Sequence, residues 1–277
     1  MKARVFVDGK TPKVPLNDLR KVIERSGIEV TRGKADFGIV VGGDGKFGRY
    51  GRSEEVPLLF VGVRSKGATG SKAHLAQTTF DELPKALGRI GRGEYMVDEQ
   101  RRLRVLKNGR NIGEVFTDVY LQRGSESDCI RYKVGVSGPA IHFEEAAIGD
   151  GVVVTTQAGS TGYYSYPDRI GKEWMDPSAS ASIRRDQVGI CHITPTFTER
   201  VGETMHPLRY TVPWGCRIEL SLFRTADARL YGTTDTTSGI GVALGDTVTV
   251  VPGKQVTRVI VLGRGTGSLS RQGVPLP

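Results

Sequence analysis

Residues 37–45 read Phe37-Gly38-Ile39-Val40-Val41-Gly42-Gly43-Asp44-Gly45. The apolar run predicts a buried strand, and the glycines after it predict a loop that comes close to a ligand. Successive backbone N–H groups in such a loop bind anions such as phosphate. A carboxylate there is unusual because its charge repels phosphate, so Asp44 is expected to take a proton from an attacking hydroxyl or to hold Mg²⁺. A tight turn after a strand is the plain alternative.

A second glycine-rich segment follows another apolar run, Val152-Val153-Val154. It reads Thr155-Thr156-Gln157-Ala158-Gly159-Ser160-Thr161-Gly162-Tyr163. Its small hydroxyl residues, at the start of a predicted helix, offer N–H and O–H donors to phosphate or ribose. An ordinary N-capped helix start is the alternative.

The apolar pattern changes at Gly93. Before it, strands are predicted at 4–7, 37–41 and 58–63 and helices at 15–26 and 80–90, which together indicate an α/β domain with a parallel sheet. After it, the pattern predicts an all-β, sandwich-like domain. Its strands are expected at 103–106, 112–121, 129–136, 152–156, 188–193, 217–222 and 247–251, with a hairpin turn at Asn108-Gly109. The predicted domains are 1–93 and 94–263, and the tail 264–277 is expected to be a flexible end or to pack back on the first domain.

The composition favours anionic partners. Lys and Arg number 39 against 30 Asp and Glu, a formal net charge of +9, which suits nucleotide phosphates or polyphosphate. The basic residues lack aromatic interleaving or a known module, so no nucleic acid is expected. The three cysteines are widely spaced, which argues against a disulfide framework or zinc site and favours the cytoplasm. The longest apolar runs are too short for a membrane span, so no membrane partner is expected.

Together, the two glycine-rich motifs resemble the signatures of the NAD kinase family, Gly-Gly-Asp-Gly and Thr-Pro-Thr-Gly-Ser-Thr-Ala-Tyr. Gly149-Asp150-Gly151 is also similar to the family, and weaker similarity extends over residues 36–250. The resemblance implies phosphoryl transfer from ATP or polyphosphate to the 2′-hydroxyl of NAD, giving NADP, with Mg²⁺ or another divalent cation. It also implies a homodimer or homotetramer in which a neighbouring subunit completes the site.

The resemblance assigns the donor to the α/β domain and the dinucleotide to the β-rich domain. Asp44 is expected to be the base, or the group that orients the acceptor hydroxyl. No metal ligand is assigned. The residues expected to bind phosphate or nucleotide are Gly42, Gly43, Gly45, Lys46, Thr117, Asp118, Asp150, Gly159, Ser160, Thr161, Gly162 and Tyr163.

Three departures from the family pattern leave rival functions open. Lys46 stands where the family has a small or polar residue, Thr117-Asp118 replaces an Asn-Glu pair that grips the ribose, and 64–70 replaces an apolar Leu-Gly-Phe element. One rival is a kinase of the same superfamily that acts on a lipid or another hydroxyl compound. The other is a non-catalytic nucleotide sensor.

Other candidate groups are weaker. Asp150 suits a turn as well as a site, and Tyr163 and Tyr164 suit a core as well as stacking on a base. Glu144-Glu145 is expected to be a solvated acidic pair rather than a Mg²⁺ site. The four histidines lack metal-ligand spacing and are expected to be structural or exposed.

Overall fold

A computed structural model describes residues 1–7, 14–63, 73–170, 183–202, 208–234 and 238–263. The chain folds as two compact units, residues 1–100 with the chain from Val256 onward, and residues 101–255. These bounds differ from the predicted domains, 1–93 and 94–263, because a long strand at either end of the second domain begins in one unit and ends in the other. The tail 264–277 lies outside the described residues.

The first unit alternates strands and helices. Its elements are β1 (Lys2–Phe6), α1 (Leu16–Arg25), β2 (Glu29–Val30), β3 (Phe37–Gly42), α2 (Asp44–Ser53), β4 (Leu58–Gly62), β5 (Thr78–Thr79) and α3 (Leu83–Gly91). The strands run parallel in the order β2-β1-β3-β4, and β5 pairs with the end of β4. The final strand of the chain also returns to β4, where Val259 pairs with Leu58. The predicted parallel sheet is confirmed.

Helices cover both faces of this sheet. Leu19 of α1 and Leu87 of α3 pack on one face, against a cluster that includes Ile39. On the other face, Phe47 of α2 stacks on Phe60 of β4 with ring centroids 4.6 Å apart. Helices on both faces are typical of parallel sheets, whose strands are apolar on both sides.

Strands dominate the second unit. Its elements, including the two strands that begin or end in the first unit, are β6 (Met96–Lys107), β7 (Arg110–Val115), β8 (Asp118–Arg123), β9 (Ile130–Gly138), β10 (Ile141–Gly149), β11 (Gly151–Thr155), α4 (Pro167–Ile170), β12 (Gln187–Ile193), β13 (Phe197–Arg200), β14 (Arg209–Pro213), β15 (Arg217–Leu222), β16 (Ala228–Tyr231), β17 (Ile240–Val242) and β18 (Thr247–Val261). Two 3-10 turns, Gln157–Gly159 and Tyr163–Ser165, precede α4.

The strands of the second unit form two antiparallel sheets. One has the order β13-β10-β9-β15-β18 with the β6–β7 hairpin, and the other has the order β14-β12-β11-β8-β16-β17. Residues of both sheets, such as Val134 and Leu121, share one buried core, so the sheets pack face to face as a sandwich. The predicted sandwich-like domain is confirmed, and the β6–β7 hairpin turns at Asn108-Gly109 as predicted.

The single strand predicted over 112–121 is wrong. The chain forms β7 and β8 there, separated by Phe116-Thr117. Phe116 is buried, so the apolar alternation continues through the break and conceals it. Because of this break, Asp118 is the first residue of β8.

None of the helices in the described ranges is long and apolar enough to cross a membrane.

Candidate functional site

Asp44 is the first residue of α2, directly after the end of β3. Gly43 is its N-cap in an extended conformation, and the N–H groups of Lys46 and Phe47 bond the Gly43 carbonyl. A Cβ added to exposed Gly45 meets no atom within 4 Å. The first N–H groups of a helix lack partners within it, so the start of α2 offers donors beside open space. The glycine-rich segment is therefore a short cap followed by a helix rather than a long loop.

Both carboxylate oxygens of Asp44 accept backbone hydrogen bonds. The N–H of His74 lies 3.1 Å from Oδ2, and the N–H of Leu75 lies 3.0 Å from Oδ1. Charge-assisted bonds of this kind fix the orientation of a carboxylate. This contact could not be predicted from the local sequence, because its partners lie some thirty residues further along the chain.

Lys46 lies beside the glycine that ends β3. A Cβ on Gly42 would be 3.1 Å from Lys46 Cγ, so the lysine stem passes over Gly42. Lys46 is partly buried, and its position near the start of α2 brings a positive charge to the end where the helix dipole is also positive. Residues 64–70, which replace the Leu-Gly-Phe element of the family pattern, lie outside the described residues.

In the second unit, the Thr117-Asp118 pair and the loop after β11 meet. Asp118 lies opposite Thr155 across the β8–β11 ladder. The N–H of Thr156 bonds the Thr117 carbonyl at 2.8 Å, and its hydroxyl bonds the Phe116 carbonyl at 2.7 Å. The same hydroxyl accepts the N–H of Ala158, which caps the first 3-10 turn. These bonds join two motifs that are about forty residues apart in the chain.

Two glycines allow this close approach. A Cβ on Gly159 would overlap the Thr155 hydroxyl and lie 2.8 Å from the Thr117 carbonyl oxygen. A Cβ on Gly162 would lie 3.3 Å from Asp118 Oδ2, so the carboxylate faces this exposed glycine. The lack of a side chain at these two positions therefore lets the segment lie close to Thr117 and Asp118.

The environment of Asp118 is unfavourable for its charge. Burial raises the pKa of this carboxyl to about 6, against a smaller opposing effect of the Thr117 hydroxyl, which donates a 3.3 Å hydrogen bond. A carboxylate held at this cost is more typical of a binding or reacting group than of a structural one. The geometry gives Asp118 an acceptor oxygen on the Gly162 side.

The sequence predicted that Ser160 and Thr161 lie at the start of a regular helix, and this prediction is wrong. They connect the two 3-10 turns and are partly buried. The Ser165 hydroxyl bonds the carbonyls of Thr161 and Gly162 at 3.0 and 2.8 Å, which closes the segment on itself. The hydroxyls of residues 160 and 161 thus lie in the same short segment as Gly159 and Gly162.

Three tyrosines extend this surface. The Tyr120 ring stacks on Tyr231 at 5.2 Å and meets Tyr163 edge to face at 5.3 Å. Tyr163 is 44% exposed, and burial beside the other two rings and Asp118 raises the pKa of Tyr120 to about 12. Tyr120 and Tyr231 were not predicted as site residues, although the register of β8 puts Tyr120 on the same face as Asp118.

Tyr164, in contrast, belongs to the core. It is buried with Val153 and Cys191, and Arg209 lies 5.1 Å above its ring. The alternative in which Tyr164 stacks on a base is therefore wrong. Its burial fixes the segment that carries Tyr163.

Asp150 is not brought together with these residues. It precedes Gly151, at the opposite end of β11 from Thr155, about 16 Å away for a strand of this length. Its carboxylate pairs with Arg123 Nε at 2.7 Å and accepts the Thr194 hydroxyl at 2.5 Å. Within one chain, Asp150 ties β8, β11 and β12 together at that end.

Glu145 and His192 are buried structural groups, whereas His206 lies outside the described residues. Glu144 is exposed and pairs with Lys133, but Glu145 is fully buried, so the solvated-pair prediction is wrong for it. Glu145 receives hydrogen bonds from Arg200 at 2.6 and 2.9 Å and from the Tyr210 hydroxyl at 2.5 Å, and it lies 3.2 Å from buried His192. The described residues contain no cluster of three or more His, Cys, Asp or Glu side chains able to hold a metal.

All three cysteines are free thiols. Cys191 and Cys216 are buried and Cys129 is exposed. Burial raises the pKa of the Cys191 thiol to about 12 and also raises that of Cys216. A thiol that stays protonated is a poor nucleophile and a poor metal ligand, so the two buried cysteines act as small core residues.

Comparison with known proteins gives a consistent result. No protein-family model matches the chain. Similar curated proteins include the NAD kinases of Methanopyrus kandleri, 32% identical over 63% of this chain and 56% of that protein, Thermoplasma volcanium, 28% over 72% and 66%, and Geobacter sulfurreducens, 29% over 82% and 73%. The chain thus spans little more than half of the first of these relatives and about two thirds of the second.

Solved structures share the fold. An NAD kinase from Archaeoglobus fulgidus, determined in complex with ATP, has a TM-score of 0.62 at 19% identity and covers 96% of this chain and 94% of its own. A yeast NADH kinase complexed with NADH has a TM-score of 0.67 at 13% identity, over 95% and 84% of the two chains. The fold is therefore that of NAD kinases. Together with the curated relatives, this makes the chain similar to NAD kinases in sequence as well as in fold.

Proposed function

We propose that this chain transfers a phosphoryl group from ATP or polyphosphate to the 2′-hydroxyl of NAD, giving NADP. The observation that carries the proposal is the meeting of Thr117-Asp118 with the Gly159–Tyr163 segment. It puts a carboxylate, hydroxyl donors and an exposed aromatic ring on one surface, which is the set of groups that recognises a ribose and its base.

On the donor side, Gly42, Gly43, Gly45 and Lys46 would bind phosphate at the start of α2. The dipole of α2 favours anions there, and Lys46 would add a point charge. The similar Archaeoglobus structure was determined with ATP, which supports ATP as the donor. Asp44 would align the acceptor hydroxyl, or accept its proton as the bond to phosphorus forms. Because a ribose hydroxyl is a weak acid, alignment would supply most of the effect of Asp44.

A divalent cation fits this donor site. Mg²⁺ in phosphoryl transfer is usually held by one or two carboxylates together with the phosphates of the substrate. Asp44 is the carboxylate at the start of α2, and its oxygens suit a hard cation. When bound, Mg²⁺ would neutralise charge on the phosphates during transfer.

On the acceptor side, Asp118 would accept hydrogen bonds from ribose hydroxyls, with the Thr117 hydroxyl as a weaker second group. Such a hydroxyl would lie beside Asp118 Oδ2, on the side of the carboxylate that faces exposed Gly162. Gly159 keeps the segment close to Thr117, and Ser160 and Thr161 would donate to ribose or phosphate. Tyr163, backed by Tyr120 and Tyr231, would contact the base.

The direct test is to incubate purified protein with Mg²⁺, NAD and either ATP or polyphosphate, and to measure NADP with an NADP-specific dehydrogenase. We expect NADP with at least one donor, and replacing NAD by NADH in parallel defines the acceptor. Binding of NAD without NADP formation under any of these conditions would reject the enzyme in favour of a nucleotide sensor.

A second candidate is phosphoryl transfer to another hydroxyl compound. It is favoured by Asp118, whose side chain is one carbon shorter than the glutamate of the family pattern. The carboxylate therefore extends less far toward Gly162 than a glutamate would. Labelled ATP incubated with nucleosides, sugars or lipid vesicles would detect this activity. Labelled product from one of them, with no NADP, would move the assignment to that acceptor.

Because the Tyr163 ring is exposed, it is available to stack on the base of the acceptor and so to increase acceptor affinity. We expect Tyr163→Ala to raise the KM for NAD about tenfold, because stacking on a base contributes roughly this much, and to leave the donor KM unchanged. Tyr163→Phe is the matched control, since it keeps the ring and loses only the hydroxyl. Steady-state kinetics with each substrate varied in turn makes the measurement. Equal NAD KM values in the two variants would remove Tyr163 from the acceptor site.

Asp150 has no place in the acceptor surface of one chain. The resemblance implies a homodimer or homotetramer, in which residues far apart in one subunit can still complete a site. We propose such an assembly in the cytoplasm, and light scattering during gel filtration measures its size.

A further inference from the structure

The turn Ala73–Ala76 supplies both hydrogen bonds to the Asp44 carboxylate. His74 and Leu75 are its two central residues, and each donates its backbone N–H to a different oxygen. Since both donors belong to the main chain, their position depends on where the turn lies and not on side-chain rotamers. Whatever holds the turn therefore also holds the carboxylate.

The turn is attached to β4. The N–H of Ala76 bonds the Ala73 carbonyl at 3.1 Å, and the N–H of Gln77 bonds the Phe60 carbonyl at 2.8 Å. From there the chain continues into β5, where Thr78 and Thr79 pair with the end of β4. The same strand that lies beside β3 thus carries the turn to the start of α2.

Gly62, the last residue of β4, lets the turn come this close. A Cβ on Gly62 would be 3.1 Å from Ala76 Cβ and 3.2 Å from Ala73 Cβ, which is closer than side chains normally pack. Ala73 itself is nearly buried and has a φ of +48°, a conformation that a residue with a Cβ adopts only when its surroundings enforce it. The turn is therefore held tightly in one place.

We propose that Gly62 and the Ala73–Ala76 turn are positioning residues for Asp44: they hold its carboxylate in the single orientation that the proposed reaction uses. The inference rests on the proposed function, since it concerns the geometry of the same reaction. It assigns a role to a glycine outside both signature motifs.

The kinetic test compares Gly62→Ala with Gly91→Ala. The first added methyl group pushes against Ala73 and Ala76, whereas Gly91 lies at the exposed end of α3 with no atom within 4 Å of a Cβ. We expect Gly62→Ala to lower kcat about tenfold, since small misplacement of a reacting group costs this much, with unchanged KM for NAD and donor. Gly91→Ala should keep the wild-type kcat. A Gly62→Ala enzyme with wild-type kcat, or with KM raised and kcat unchanged, would overturn the proposal.

A second measurement does not depend on activity. Amide hydrogen exchange is followed by NMR in the wild-type protein and in Asp44→Ala. We expect the His74 and Leu75 amides to exchange at least about tenfold faster in the variant, while the Gln77 amide, which bonds Phe60, keeps its rate. Unchanged exchange at His74 and Leu75 would reject the positioning contact, even in an enzyme that makes NADP. Faster exchange in a protein that makes no NADP would keep the contact and reject only the NAD kinase assignment.

Discussion

Asp44→Asn is expected to lower kcat for NADP formation about 100-fold or more and to leave NAD affinity nearly unchanged, a loss typical of an acid–base or aligning group. The amide keeps one acceptor oxygen but turns an NH₂ group toward either the His74 or the Leu75 N–H, which both donate to the carboxylate in the native protein. The side-chain NH₂ group then lies against a backbone N–H, and two donors cannot form a hydrogen bond. The side chain of residue 44 therefore loses its orientation together with its charge.

Rates at saturating donor and NAD, with calorimetric NAD binding, make this measurement. Asp81→Asn is the matched control, because Asp81 is exposed in the same unit. Turnover of Asp44→Asn equal to that of the control would exclude Asp44 from the reaction.

Asp118→Asn is expected to stabilise the protein while weakening its binding of NAD. The pKa of Asp118 is raised by burial to about 6 in the folded state, above its ordinary value near 3.8. A raised carboxyl pKa means that folding favours the protonated form, so stability is fully present below pH 4 and falls as the pH rises through 6. Removing the charge should therefore raise the free energy of unfolding by about 2 kcal/mol at pH 8 and by little at pH 4.

The same change should raise the KM for NAD about tenfold, because a neutral amide is a weaker partner for ribose hydroxyls than a carboxylate. Urea unfolding at pH 4 and pH 8, alongside kinetics, measures both effects, with exposed Asp128→Asn as the control. Equal stability changes at the two pH values would show that the Asp118 charge is not the cause. A stabilised variant with unchanged NAD affinity would place the acceptor elsewhere.

Most of the fold could be predicted from apolar periodicity, because buried strands and amphipathic helices repeat at fixed spacing. The exception nearest the site is α2. Its sequence contains Gly45, Gly48 and Gly51, which disfavour a helix, and the packing of Phe47 on Phe60 and of Tyr50 on Phe6 explains why it forms. Tertiary packing of this kind leaves no local signal in the sequence.

The site was predictable where the motifs are contiguous and not where the fold assembles it. Gly159, Gly162 and Tyr163 were expected to bind the dinucleotide together with Asp118. The structure places this segment beside Asp118, and its role in binding stays a prediction. The contact of Asp44 with His74 and Leu75, and the tyrosines at 120 and 231, depend on register and on turns between strands. Asp150 is close to the Gly159–Tyr163 segment in sequence but distant from it in space, because β11 lies between them and separates its two ends.

The burial of Cys191 and Cys216 leaves a single exposed sulfhydryl, Cys129, at the start of β9. A maleimide dye or nitroxide would attach at one position per chain without any engineering, because a buried, protonated thiol reacts poorly. Pulsed dipolar spectroscopy on the labelled protein then yields label-to-label distances in an assembly, and their number distinguishes two subunits from four. The number of subunits in an assembly can thus be measured on the wild-type protein through a label at Cys129.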